Sequence, residues 1–143
     1  MLATNHGTTG MIIGALLPLP IAIPVAFASH FVMDALPHYG IDSKARDKSK
    51  VYKRIVYIDT TVALSFALLS AVTGRWSMFI VGWVAYSPDG YWVYMYAKSK
   101  TFNLKPKNSI AKFHQRIQYE RPWGLFLELP LACLLISTVF QLM

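Results

Sequence analysis

Three side chains at four-residue spacing, His30, Asp34 and His38, close a long apolar run. On a helix four residues advance about 400°, so the three drift by only about 40° per step and share one stripe. Imidazole, carboxylate and imidazole together are a ligand set for Zn²⁺ or a similar divalent ion. The plain alternative is a hydrogen-bonded core histidine, a capping aspartate and a surface histidine.

Other ionisable groups fall where burial makes them expensive. Four of the seven acids, Asp34, Asp59, Asp89 and Glu128, lie within apolar segments. A carboxylate inside a membrane costs about 2.5–3.5 kcal/mol unless it is paired or bound to metal. Asp59 stands five positions after Arg54, Asp89 nine before Lys98 and Glu128 seven after Arg121. That places all of them toward the same end as His30, Asp34 and His38. One polar cluster is the simplest account, and it predicts that His30, Asp34 and His38 converge with Asp89, about 4–5 Å apart given ligand bonds of about 2.0–2.2 Å. Asp59, Asp89 and Glu128 are then candidates to ligate, to orient a ligand histidine or to act as general base. His6 and His114 are the remaining candidate metal ligands.

The elements that must position these groups follow from composition. The chain has 143 residues, 55% hydrophobic and 15% charged, with mean hydropathy +0.38. Soluble domains carry about 25% charged residues. These values predict a single integral membrane domain, residues 1–143, all-α. The net charge of +7 does not point to nucleic acid, because the basic residues fall in the gaps between apolar segments. Six Lys and Arg lie in 41–54 and seven in 98–121, leaving Arg75 alone. Under the positive-inside rule both basic stretches face the cytoplasm of a bacterial or archaeal plasma membrane. The single cysteine, Cys133, rules out a disulfide framework.

Residues 8–36 are free of charge until Asp34 and are interrupted by Pro18, Pro20 and Pro24. As one straight helix they would run about 43 Å, against a hydrocarbon core of about 30 Å. Two short helices, 8–17 and 21–36, forming a re-entrant hairpin fit better than a single kinked span. The hairpin brings His6 to the cluster, whereas the single span puts it opposite. Three further transmembrane helices are predicted at 53–73, 76–98 and 123–142, the second kinked at Ser87-Pro88-Asp89-Gly90. A short amphipathic helix is predicted over 108–120. Ile110, Phe113, His114 and Ile117 share one face of it by their spacing, which predicts that they are buried together at the membrane interface.

His6-Gly7-Thr8-Thr9-Gly10, followed by Ser29-His30-x-x-x-Asp34-x-x-Pro37-His38-Tyr39-Gly40, resembles the small membrane-bound metal-dependent hydrolases, the LexA-regulated inner-membrane group. The resemblance covers about residues 5–40, and the chain lacks the His-Arg-Gly-x-Thr-His block of larger hydrolases. A fainter likeness is to zinc-dependent phospholipase C. What the resemblance implies is metal binding by the N-terminal histidine and the Ser-His-x-x-x-Asp element.

The parts suggest a hydrolase with one or two divalent ions, acting on a phospholipid or other amphiphilic phosphoester at the cytoplasmic face. Its partners would be membrane lipid and the ion, with a homo-oligomer left open. Rival readings are an ion, proton or metal transporter subunit and a non-catalytic assembly protein. No serine-nucleophile, Walker or dinucleotide motif is present.

Overall fold

Proline and distant carboxylates decide where the helices of this chain begin and end. The computed structural model describes residues 1–143. α1 (Ala3–Leu16) stops at Leu17, ahead of Pro18, and α2 (Leu19–Asp34) follows with Pro20 in its first turn. The two run antiparallel, because His6 near the start of α1 stacks on His30 near the end of α2. The 8–36 stretch is therefore a hairpin and not one kinked span. α1 starts five residues earlier than its apolar run. No local side chain caps it. Asp59 instead accepts from the Ala3 and Thr4 amides at 2.6 and 3.0 Å, and Glu128 accepts from the Leu2 amide at 2.6 Å. Negative charge at a helix N-terminus satisfies its free N–H groups and complements its dipole.

α2 ends at Asp34, two residues short of the predicted limit. Pro37 keeps Leu36 out of the helical region. The chain then turns into β1 (His38–Tyr39), which pairs in parallel with β2 (Glu120–Arg121). His38 is thus on a strand, and the predicted stripe keeps only His30 and Asp34.

A four-residue turn of helix, α3 (Ser43–Arg46), precedes α4 (Lys50–Val72), which Ser49 caps by accepting from the Tyr52 amide. The predicted 76–98 helix is two pieces, α5 (Trp76–Tyr86) and α6 (Gly90–Ser99), joined by a 3₁₀ turn over Ser87–Asp89. α7 (Ser109–Ile117) is capped by Asn108, whose side chain accepts from Ala111 at 2.7 Å. α8 (Leu125–Leu142) completes the fold.

α1 packs most closely on α5. A Cβ on Gly10 would lie 2.6 Å from the Val81 carbonyl oxygen, and one on Gly14 would lie 2.6 Å from that of Ser77. Small residues at this spacing let two helix backbones approach. Ala22, Ala26, Val81 and Ala85 form the adjoining core, all fully buried. Only 25 of the 143 residues are buried, and large apolar side chains on α2, α4 and α8 face outward. α4 and the stretch Pro122–Leu142 are long and apolar enough to cross a membrane. The two basic stretches meet at one end, where Asp47 accepts from Thr101 and from the Phe102 amide, and Arg46 pairs with Glu120. Arg75 bonds the Met143 carbonyl elsewhere.

Candidate metal centre

Asp34, the last residue of α2, is the centre of the buried polar cluster. Its Oδ1 lies 2.5 Å from the Met1 amine and 3.1 Å from His6 Nε2. Its Oδ2 lies 3.2 Å from His30 Nε2 and 2.5 Å from His114 Nε2. Asp89, delivered by the 3₁₀ turn, places Oδ1 3.8 Å from both His30 Nε2 and His114 Nε2. One ligand atom each from His30, Asp34, Asp89 and His114 lies within 4.8 Å of all the others. Tetrahedral ligands at bonds of about 2.0–2.2 Å stand about 3.3–3.6 Å apart. The set could hold a metal ion without large rearrangement. The predicted convergence of His30 and Asp34 with Asp89 is therefore present, and His114 joins it.

Hydrogen bonds set the ring tautomers. His30 Nδ1 is 2.8 Å from the Ala85 carbonyl, so it carries the proton. Ala85 lies in the last turn of α5, where carbonyls lack helical partners. His30 Nε2 is left to face the carboxylates, the arrangement by which an outer carbonyl orients a ligating histidine. His114 differs. The Trp92 indole N–H, which can only donate, reaches His114 Nδ1 at 3.2 Å. Neutral His114 therefore has its proton on Nε2, pointed at Asp34, and ligation through Nε2 must displace it. Trp92→Phe is expected to leave the fold intact and to tighten metal binding severalfold, which a Zn²⁺ titration against a competing chelator checks. Trp92 was not legible as a site residue: its indole reads as one more interfacial aromatic.

The other sequence candidates lie around this set. His6 hydrogen-bonds Asp34 and stacks on His30 with ring centroids 3.9 Å apart, outside the four-ligand group. His38 is buried on β1, with Nδ1 2.8 Å from the Leu36 carbonyl and Nε2 without a partner, also outside that group. Asp59 and Glu128 spend their oxygens on backbone amides. Glu128 takes Leu2 and, at 2.9 Å, Tyr39, so it ties α8 to both α1 and β1. The geometry gives these two a positioning role around the cluster.

Burial, and next the nearby N-terminal amine, hold the His38 ring well below its usual value, at about 4. A folded value below the unfolded one means that the unfolded chain binds the extra proton between about pH 6.5 and 4. The His38 contribution to stability is complete above that window and is lost as pH falls through it. Thermal unfolding followed from pH 7 to 4 is expected to show a midpoint that drops, with a smaller drop in His38→Gln.

α7 corrects a sequence expectation. His114 and Ala111 are buried, at 1% and 3% exposure, whereas Ile110 and Phe113 are 61% and 54% exposed. The helix is rotated so that its imidazole enters the site and Ile110 and Phe113 face outward, while Ile117 is half-buried.

A cleft of about 710 Å³ opens beside the cluster. Asp89 reaches it, and Tyr39, Tyr52, Tyr86, Trp92 and Phe102 are among its walls. Arg46 stands over the Tyr52 ring at 5.5 Å and pairs with Glu120, both at the cleft. The chain matches no family model, no curated protein and no solved structure.

Proposed function

We propose that the protein is an integral membrane, metal-dependent hydrolase of a phospholipid or another amphiphilic phosphoester, with zinc as its ion. The observation that carries this reading is His30 Nε2. Its ring proton is committed to Ala85, and the free nitrogen faces the carboxylates of Asp34 and Asp89 at 3.2 and 3.8 Å. Acceptors gathered in a buried site favour positive charge among them; the Met1 amine supplies it on the Oδ1 side of Asp34, and a metal ion would supply it between His30, Asp34 Oδ2 and Asp89. Two imidazoles and two carboxylates suit Zn²⁺. His30, Asp34, Asp89 and His114 would hold it.

When bound, the ion would supply Lewis acidity and, with Asp89 giving up its place to a water or the coordination expanding to five, would bring the ionisation of that water near neutral pH. Asp89 is 22% exposed toward the cleft, so it is the carboxylate placed to take a proton from an attacking water. Water oxygen bonds to phosphorus, one P–O ester bond breaks, and the proton passes to the departing alcohol. The aromatic walls of the cleft would take the apolar part of the substrate, while flanking Lys and Arg attract its phosphate. Outward apolar side chains on α2, α4 and α8 support burial in lipid. In this reading α4, α8 and the α5–α6 pair cross, the α1–α2 hairpin re-enters, and the basic end faces the cytoplasm.

A structural reading is favoured by one contact: Trp92 fixes a proton on His114 Nε2, which then bonds Asp34 as in a metal-free polar cluster. Purified protein, zinc-loaded in detergent and given phosphatidylglycerol or phosphatidylcholine in mixed micelles, separates the two. Hydrolysis of a phosphoester bond that disappears in His30→Ala is expected. Metal-replete protein without turnover on either lipid would remove the hydrolase assignment, and melting unchanged by chelator would favour the structural cluster.

A further inference from the structure

We infer that α7 is a docking surface for an anionic membrane, inserting Ile110 and Phe113 among the lipids and thereby seating His114 in the metal centre. The outward turn of these two side chains is the first reason. A nine-residue helix with only Ala111 and His114 buried is too short to be stable alone. The chain just after it is strapped to the end of α2 and to β1, but the helix itself is held mainly through His114. His114 meets Asp34 and Trp92, Phe113 lies 5.6 Å from Phe31, and the Lys107 amide bonds the Tyr91 hydroxyl at 2.9 Å. Two large apolar side chains facing water would oppose this pose.

Continuity of surface says what covers them. Phe27 and Phe31 on α2 are in edge contact at 5.3 Å, and Phe31 passes the row on to Phe113. Val32 and Leu36 flank this row, both exposed. The apolar face of α2 thus runs onto α7 without a break. Charge says which lipid. No acidic residue lies between Asp89 and Glu120, whereas Lys98, Lys100, Lys105, Lys107, Lys112 and Arg116 do. A basic helix with an apolar face lies in the interface and favours anionic headgroups. A protein partner for the same face would lack this charge requirement.

The same helix carries a ligand inward and a lipid anchor outward, so membrane contact and site assembly are one event. The seating of His114 rests on the proposed metal centre, but the docking does not. The test therefore has two readouts in lipid nanodiscs of phosphatidylcholine alone or mixed with phosphatidylglycerol. An environment-sensitive fluorophore on Phe113→Cys, in a Cys133→Ser background, reports insertion. Zn²⁺ competition titration of the otherwise native chain reports His114. Blue-shifted emission is expected with phosphatidylglycerol and should weaken in high salt and in Lys112→Gln/Arg116→Gln. Zn²⁺ affinity should rise about tenfold with the anionic lipid, and Ile110→Ser/Phe113→Ser should erase that rise. These residues are exposed, so the variants empty no core. Emission that is the same in both lipids overturns the docking. Insertion with a Zn²⁺ affinity indifferent to lipid overturns the coupling to His114. Insertion without Zn²⁺ binding in any lipid upholds the docking surface and sinks the metal reading instead.

Discussion

Asp34→Asn is expected to bring metal content down to the level of the buffer and to destabilise the protein by about 3–5 kcal/mol, as when one partner of a buried ionic group is removed. Both carboxylate oxygens are in use. One faces the Met1 amine and His6, and the other faces His30 and His114. A carboxamide has one acceptor and one donor where these neighbours require two acceptors, and it removes the negative charge among them. The site then loses its central ligand, and the ends of α1, α2 and α7 lose their common anchor. Asp42→Asn is the control. Asp42 is exposed and only caps α3 through the Lys44 amide, so metal content and melting should stay near those of the parent. Elemental analysis and thermal unfolding of the two purified variants measure both effects.

Gly10→Val is expected to destabilise the protein without touching any of the four clustered side chains. Its first added carbon would lie 2.6 Å from the Val81 carbonyl oxygen and 2.6 Å from Ala85 Cβ. Backbone cannot yield as a flexible side chain does, so α1 and α5 must part. Overpacking of this kind costs about 1–3 kcal/mol and sometimes more. Here Ala85 also supplies the carbonyl that orients His30, so metal affinity should fall together with the melting temperature. Gly7 lies one turn earlier on α1, and a Cβ there meets nothing within 4 Å. Gly7→Ala should therefore be neutral or stabilising by about 0.4–1 kcal/mol. Similar melting of the two glycine variants would contradict the packing account.

Of the four clustered groups, His30 and Asp34 were legible from their four-residue spacing, Asp89 from the cost of burying an acid in an apolar run, as a candidate acid–base group, and His114 from its place on the stripe of an amphipathic helix. The hairpin was legible from length and three prolines. His38 was misplaced because the apolar pattern continues past Asp34, while Pro37 and pairing with residues 120–121 end the helix earlier. Asp59 and Glu128 share the depth of the cluster, but depth does not distinguish a ligand from a cap. Their partners are amides of Leu2, Ala3 and Thr4, and sequence does not announce a cap that comes from another helix. The α7 face failed for a more general reason. Helical periodicity puts Ile110, Phe113 and His114 on one side, but it does not say which part of that side meets the protein and which meets its surroundings, and the structure turns His114 inward while Ile110 and Phe113 stay exposed. Where lipid lies outside, the large apolar residues turn outward and the polar imidazole turns in.

The central claim is that His30, Asp34, Asp89 and His114 bind one divalent ion together. X-ray absorption at the zinc edge on the purified, zinc-loaded protein tests it most directly. The expected first shell is nitrogen and oxygen at about 2.0–2.2 Å, with the outer-shell scattering of two imidazoles, falling to one in His114→Ala. Zinc no higher than in the buffer, or a shell without imidazole scattering, would contradict it.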